Sequence, residues 1–126
     1  MPASPSSDLP QFEISSEQGT DGVWVVHVAG EVDISHEEEL RNELREALAQ
    51  NTHGIVVDLT DCEFIDSSGV RTLLLSREAQ HAQGKSERLA VAASSEQILR
   101  ILGVMGIDKV IPIRPTVDEA TSELSG

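Results

Sequence analysis

The stretch from Val56 to Val70 constrains this chain more than any other. Ile55-Val56-Val57-Asp58-Leu59 is an apolar run, as expected of a buried central strand. An acidic connection, Thr60-Asp61-Cys62-Glu63, leads through Phe64-Ile65 to the turn Asp66-Ser67-Ser68-Gly69. Val70, Leu73 and Leu74, with Arg77 and Glu78, then open a helix that continues through Ala79 and Ala82 to a stop at Gly84. Strand, turn and helix in this order are the repeating unit of a sheet built with crossovers.

The flanking segments carry the same alternation. Phe12, Ile14 and Ser16 alternate with polar neighbours, as in a short edge strand. After the turn cluster Gly19-Thr20-Asp21-Gly22, the β-branched run 23–29 pairs with it as a hairpin. Gly30-Glu31-Val32-Asp33 reads as a turn. Ser35 and Glu38 form a capping-box pair ahead of an amphipathic helix at about 36–50, with Leu40, Leu44, Ala47 and Leu48 on its apolar face, ended by residues 51–54. Residues 89–93 are a short buried strand. Ser94 with Gln97 is a second capping-box candidate, opening a helix with Ile98, Leu99, Ile101, Leu102 and Met105 that ends near Gly106. Residues 110–113 form a short strand that Pro112 confines to an edge or end. Thr116 with Glu119 caps a last helix through Leu124. The order β-β-α-β-α-β-α-β-α predicts an α/β fold of about five strands and four helices, with a mostly parallel sheet and an antiparallel opening hairpin.

Length and composition narrow the function. The 126 residues suit one domain, at 11–126, behind a Pro/Ser-rich disordered tail at 1–10. Aromatic residues make up only 2%, so the core must be aliphatic. The start lacks the basic and apolar regions of a secretory signal, and no apolar run is long enough for a membrane span. The formal net charge of −13 disfavours direct binding to nucleic acid or an anionic membrane. Cys62 is the single cysteine, which rules out an internal disulfide and fits a reducing cytosol.

Enzymatic chemistry finds few candidates. The four histidines, His27, His36, His53 and His81, are scattered without metal-ligand spacing, so no metal is expected. His27 reads as structural, while His36 and His81 read as solvated helix-face residues. Cys62, between Asp61 and Glu63, is a poor thiolate and reads as a small, partly buried apolar residue. Gly103 and Gly106 make no phosphate loop and fit a helix end. Neither Ser67 nor Ser68 lies in a Gly-x-Ser-x-Gly elbow, so no catalytic residue and no cofactor is expected.

Ser67 remains. It lies at the carboxyl end of a strand and the start of a helix, where α/β folds present functional loops. A serine there either caps the helix or stands free for modification, and the residues alone leave both open. A phosphoserine would find amide donors and would bring a charge of roughly −1.5 to −2 beside Asp66. If the 30–33 turn lies close, Glu31 and Asp33 join that acidic surface.

Gly30-Glu31-Val32-Asp33, Val56-Val57-Asp58-Leu59, Phe64-Ile65-Asp66-Ser67-Ser68-Gly69-Val70 and Leu102-Gly103-Val104-Met105-Gly106-Ile107 together resemble the bacterial anti-sigma factor antagonists of the STAS domain family. The resemblance spans about residues 11–124. It implies a cytoplasmic protein, a monomer when free, that binds an anti-sigma factor with serine kinase activity and so releases a sigma factor. Phosphorylation of Ser67 by that kinase would end binding, and a PP2C-type phosphatase would restore it. By position, Asp66, Ser67, Ser68 and Gly69 form the docking loop, with Gly69 allowing close backbone approach, and Glu31 and Asp33 belong to the partner surface. Arg71 stands where a small residue is frequent in the family; it either pairs with phosphate or adjusts partner choice, or is simply solvated. The same fold also allows a subunit of a larger assembly, such as a stressosome-like scaffold or a transporter-associated module.

Overall fold

The computed structural model describes residues 11–50, 52–82 and 88–125. The tail at 1–10, Asn51, the helix stop at Gly84 and the side chain of His81 lie outside them. Five strands form one sheet in the order β1-β2-β3-β4-β5. These are β1 (Glu13–Gln18), β2 (Val23–Val32), β3 (Gly54–Ile65), β4 (Leu89–Ala92) and β5 (Ile113–Arg114). The first pair is antiparallel and the others are parallel, as the element order predicts. Helices α1 (Glu37–Leu48), α2 (Ser67–Ala82), α3 (Glu96–Val104) and α4 (Val117–Ser125) make the crossovers and the C-terminal cover.

Alternation along the strands divides the core. Val26, Val28, Ile55, Val57 and Leu59 face one side and pack with Leu40 and Leu44 of α1, Leu73 of α2 and Leu102 of α3. Val23, Val25, Val56, Ala90 and Ala92 face the other and pack with Ala120 and Leu124 of α4. Each fully buried Leu, Ile or Val stabilises the fold by about 1.5–3 kcal/mol, so a core nearly free of aromatics suffices. Beyond the reach of α4, the second face carries polar groups. There His27 Nδ1 lies 2.7 Å from Asp58 Oδ2, and its Nε2 lies 2.7 Å from Glu17 Oε2, tying three strands together. His27 is thus structural, as expected.

Several boundaries differ from the sequence expectation. The acidic connection is not a loop: β3 runs twelve residues to Ile65, with Cys62 and Ile65 buried and Asp61, Glu63 and Phe64 exposed. Residues 30–32 likewise stay in β2, where a register shift between Gly30 and Glu31 lets the strand bend. Gly30 has φ of +87°, and a Cβ there would stand 1.4 Å from the Gln11 carbonyl oxygen, so only glycine lets the chain cross into β1. Ser35 does not cap α1. Asp33 caps a 3-10 turn, Ile34–His36, which precedes that helix. Ser95, one residue after the expected Ser94, caps α3 by accepting from Ile98 N–H. The last strand is Ile113–Arg114 rather than 110–113, although it does lie at the sheet edge. Thr116 caps α4 as expected, accepting from Glu119 N–H at 3.1 Å.

Candidate functional site

The carboxyl ends of β2 and β3 meet at one edge of the molecule. Val32 pairs with Ile65, and Asp66 N–H donates to the Val32 carbonyl at 3.0 Å. The next residues, Asp33 and Asp66, therefore leave neighbouring strand ends, and the 3-10 turn packs against α2. Sequence reasoning made the approach of Glu31 and Asp33 to Ser67 conditional, and this register meets the condition. Glu31 pairs with Phe64 and is exposed, while Asp33 is half-buried.

Both aspartates build the same local structure. Asp66 Oδ1 accepts from Ser68 N–H at 3.0 Å, Ser68 Oγ–H at 2.6 Å and Gly69 N–H at 3.1 Å. Asp33 Oδ1 accepts from Ser35 N–H at 2.9 Å and Ser35 Oγ–H at 2.5 Å. These bonds to Ser35, its hydroxyl first, hold the Asp33 carboxyl below the usual carboxylate value, and His36 adds to the effect. Asp58 bonds Thr60 N–H and Oγ–H in the same way within β3. The shared signal, Asp-x-Ser/Thr, is present three times in the sequence and accounts for each of these bonds.

Ser67 therefore is not the cap of α2. Asp66 is, and Ser67 is the first residue of the helix, exposed and bonded through its hydroxyl to no other described residue. The amides of Ser68 and Gly69, expected to receive a phosphate, already bond to Asp66. Ser68 is half-buried and spends its hydroxyl on the cap. Gly69 is buried, and a Cβ there would lie 2.7 Å from Ile65 Cγ1 and 3.0 Å from Val32 Cγ1. The close approach it permits is between α2 and its own strand ends. Arg71 is exposed one turn beyond Ser67, at the spacing that puts both on one helix face.

Two apolar residues at this edge escaped the sequence reading. Ile34 is 71% exposed and occupies the position in its Asp-x-Ser turn that Ser67 occupies in the second. Phe64 is 46% exposed beside Glu31. The Asp-x-Ser pattern would have flagged Ile34, because its middle residue has no place in the capping bonds. Cys62 is buried, and that burial, with the Glu63 charge, pushes its thiol up to about 11. Among the described residues no cluster of His, Cys, Asp and Glu is arranged to hold a metal ion, and no helix is long and apolar enough to cross a membrane.

Comparison with known proteins agrees with this architecture. The family described as "Mlab, STAS domain" matches residues 15–114. The anti-sigma-F factor antagonist RsfB of Mycobacterium tuberculosis is 30% identical over 105 residues, covering 83% of this chain and 84% of that protein. An anti-sigma factor antagonist from Mycobacterium paratuberculosis superposes with a TM-score of 0.80 at 25% identity, over 98% of this chain and 99% of the other. The Bacillus cell fate determinant SpoIIAA in its phosphorylated form has a TM-score of 0.65 at 21% identity, over 89% of this chain and 99% of the other; at that identity the likeness speaks for the fold. With most of its length matched and its five-stranded sheet in common with these proteins, the chain belongs to the STAS domain family of the anti-sigma factor antagonists.

Proposed function

We propose that this protein is an anti-sigma factor antagonist whose binding surface is gated at Ser67. The unphosphorylated chain docks on an anti-sigma factor with serine kinase activity and so frees a sigma factor. Ser67, Asp66, Ser68 and Gly69 present the docking loop, and Glu31, Asp33 and Arg71 border it. The protein acts in the cytoplasm by binding rather than catalysis, and a PP2C-type phosphatase resets it.

The observation that carries this reading is the position of Ser67: exposed, first in α2, and relieved of capping by Asp66. A kinase can take its hydroxyl without undoing the helix start. The phosphate would add roughly −1.5 to −2 of charge beside the Asp66 carboxylate, with Asp33 and Glu31 on the neighbouring strand end. Because Asp66 already holds the Ser68 and Gly69 amides, that charge finds little relief from the backbone. Arg71 is the nearest cation along the helix face. The fold survives the added charge at an exposed site, while an interface formed over it does not.

The test uses the kinase-type anti-sigma factors encoded in the same genome. Intact mass after incubation with ATP should rise by one phosphate in the native chain and stay unchanged in Ser67→Ala. Ser67→Ala should bind the kinase constitutively, and Ser67→Asp at least tenfold more weakly. Equal binding by the two variants would remove the electrostatic gate. The free chain should sediment as a monomer; a large oligomer would instead favour a subunit of a larger assembly.

A further inference from the structure

A phosphate on Ser67 would arrive among groups that are already engaged or carry its own sign. Asp66 Oδ1 accepts from Ser68 N–H and Gly69 N–H, and Val70 N–H donates to the Asp66 carbonyl at 3.1 Å. The first turn of α2 therefore has few amides left to offer. The nearby charges are carboxylates: Asp66 on the same turn, and Glu31 and Asp33 on the neighbouring strand end.

The cations around this edge are not equivalent. His36, in the 3-10 turn packed on α2, is committed elsewhere: its Nδ1 lies 3.3 Å from Asp33 Oδ1, and its ring stacks on Phe12 with centroids 4.3 Å apart. Arg100 belongs to α3, where it lines an apolar cleft with Phe64 and Ile65. Arg71 is on α2 itself, is exposed, and forms no ion pair among the described residues. It stands four residues after Ser67, the spacing that puts two side chains on one helix face. Helical side chains lean toward the N-terminus, so the arginine reaches back toward the serine. An anion preceding a cation at this spacing is also the order that the helix dipole favours. The residue three on from Ser67, Val70, is fully buried and cannot compete.

We infer that Arg71 is the receptor for the Ser67 phosphate, its guanidinium donating to the phosphate oxygens across the first turn of α2. This inference rests on the phosphorylation proposed above and names what holds the phosphate once it is there. Arg71 is thus a positioning residue for the modified serine. Phosphorylation then changes the docking edge twice: it adds a dianion, and it takes up the cation that borders the loop, so neither Ser67 nor Arg71 remains open to a partner.

The test is a phosphorus NMR titration of the full chain with phosphoserine installed at position 67 during translation. The second pKa of such a phosphate is ordinarily about 6. The surrounding carboxylates raise it and the helix start lowers it, but both act alike in every variant, so comparing variants isolates the arginine. Arg71→Gln should raise the pKa by about 0.3–0.5 unit, the shift that one exposed pair at this spacing produces. Arg71→Lys, which keeps the charge, should stay near the native value, and so should Arg100→Gln. Sodium chloride at 1 M should shrink the difference between the native chain and Arg71→Gln. Equal values in those two chains would overturn the inference. So would a rise in Arg100→Gln as large as that in Arg71→Gln, or a lysine variant that behaves like the glutamine one. Because no kinase is needed to install the phosphate, this titration and the mass assay of Ser67 can fail separately.

Discussion

Asp66 performs at α2 the role that the sequence reading left open for Ser67, and that exchange of roles makes the serine available. Its carboxylate satisfies two of the helix's orphan amides and the Ser68 hydroxyl. Asp66→Ala should therefore lower stability by about 1–2 kcal/mol in urea unfolding, while Asp66→Asn, which can still accept, should lose only a fraction of that. Equal loss in both would mean that the negative charge, not the cap, is what matters. A serine followed by an acid or amide three residues on predicts caps at Ser35 and Ser94. At Ser35 that pattern misleads because an aspartate just upstream takes up the serine itself: Asp33 Oδ1 accepts from both the Ser35 N–H and its hydroxyl. Cys62 was easier to read. Burial and the neighbouring Glu63 raise its thiol to about 11, so native protein at pH 8 holds almost no thiolate. It should resist iodoacetamide in buffer and react readily in urea; rapid labelling of the folded chain would contradict its burial.

At the scale of elements, hydrophobic periodicity made the strand and helix order legible, and strand ends were where it failed. The segment from Thr60 to Ile65 contains three acidic or hydroxylated residues on its exposed side, so it looked like a connection. Its pairing with β2 across two register shifts keeps Cys62 and Ile65 inside. Bulges of this kind are set by neighbouring strands and leave no local composition to read. The same holds for His27, whose partners Glu17 and Asp58 lie on flanking strands. Burial alone would lower the His27 pKa, but the hydrogen bonds to Asp58 and Glu17, with their charges, outweigh it and raise the value above 6.5. For Asp58 burial acts upward, and the bonds from Thr60 and His27 outweigh it and bring the value below 3.8. The histidine's contribution is thus fully present below pH 6.5 and lost as pH rises through its higher folded value. That of Asp58 is present above pH 3.8 and lost as pH falls through its lower folded value. Urea midpoints should fall between pH 6 and pH 8.5, and His27→Gln should flatten that decline. An unchanged slope in the variant would show that the bridge between strands is not the source.

For the molecule as a whole, charge sets a condition on the two-faced core. Acidic side chains are spread over a small body whose second face is only partly covered by α4, and the formal net charge is −13. Self-repulsion of this kind opposes the compact state. The total charge could be counted from the sequence, but the fold decides where it concentrates. Glu31, Asp33 and Asp66 gather at adjoining strand ends, and Glu17 and Asp58 flank His27 instead of repelling each other freely. Sodium chloride separates the two cases, since it screens exposed charges beyond a Debye length of about 10 Å at 0.1 M and about 3 Å at 1 M. The partly buried pair of His27 and Asp58 is screened less. Raising sodium chloride at pH 8 should therefore raise the melting temperature by several degrees, about what 1 kcal/mol of stability yields in a domain of this size. Near pH 4.5, close to the isoelectric point of about 4.5, the same salt should change it little. A melting temperature that falls with salt at pH 8 would mean that attractive pairs still charged there, such as Arg114 with Glu123, rather than net repulsion, dominate the electrostatics of the fold.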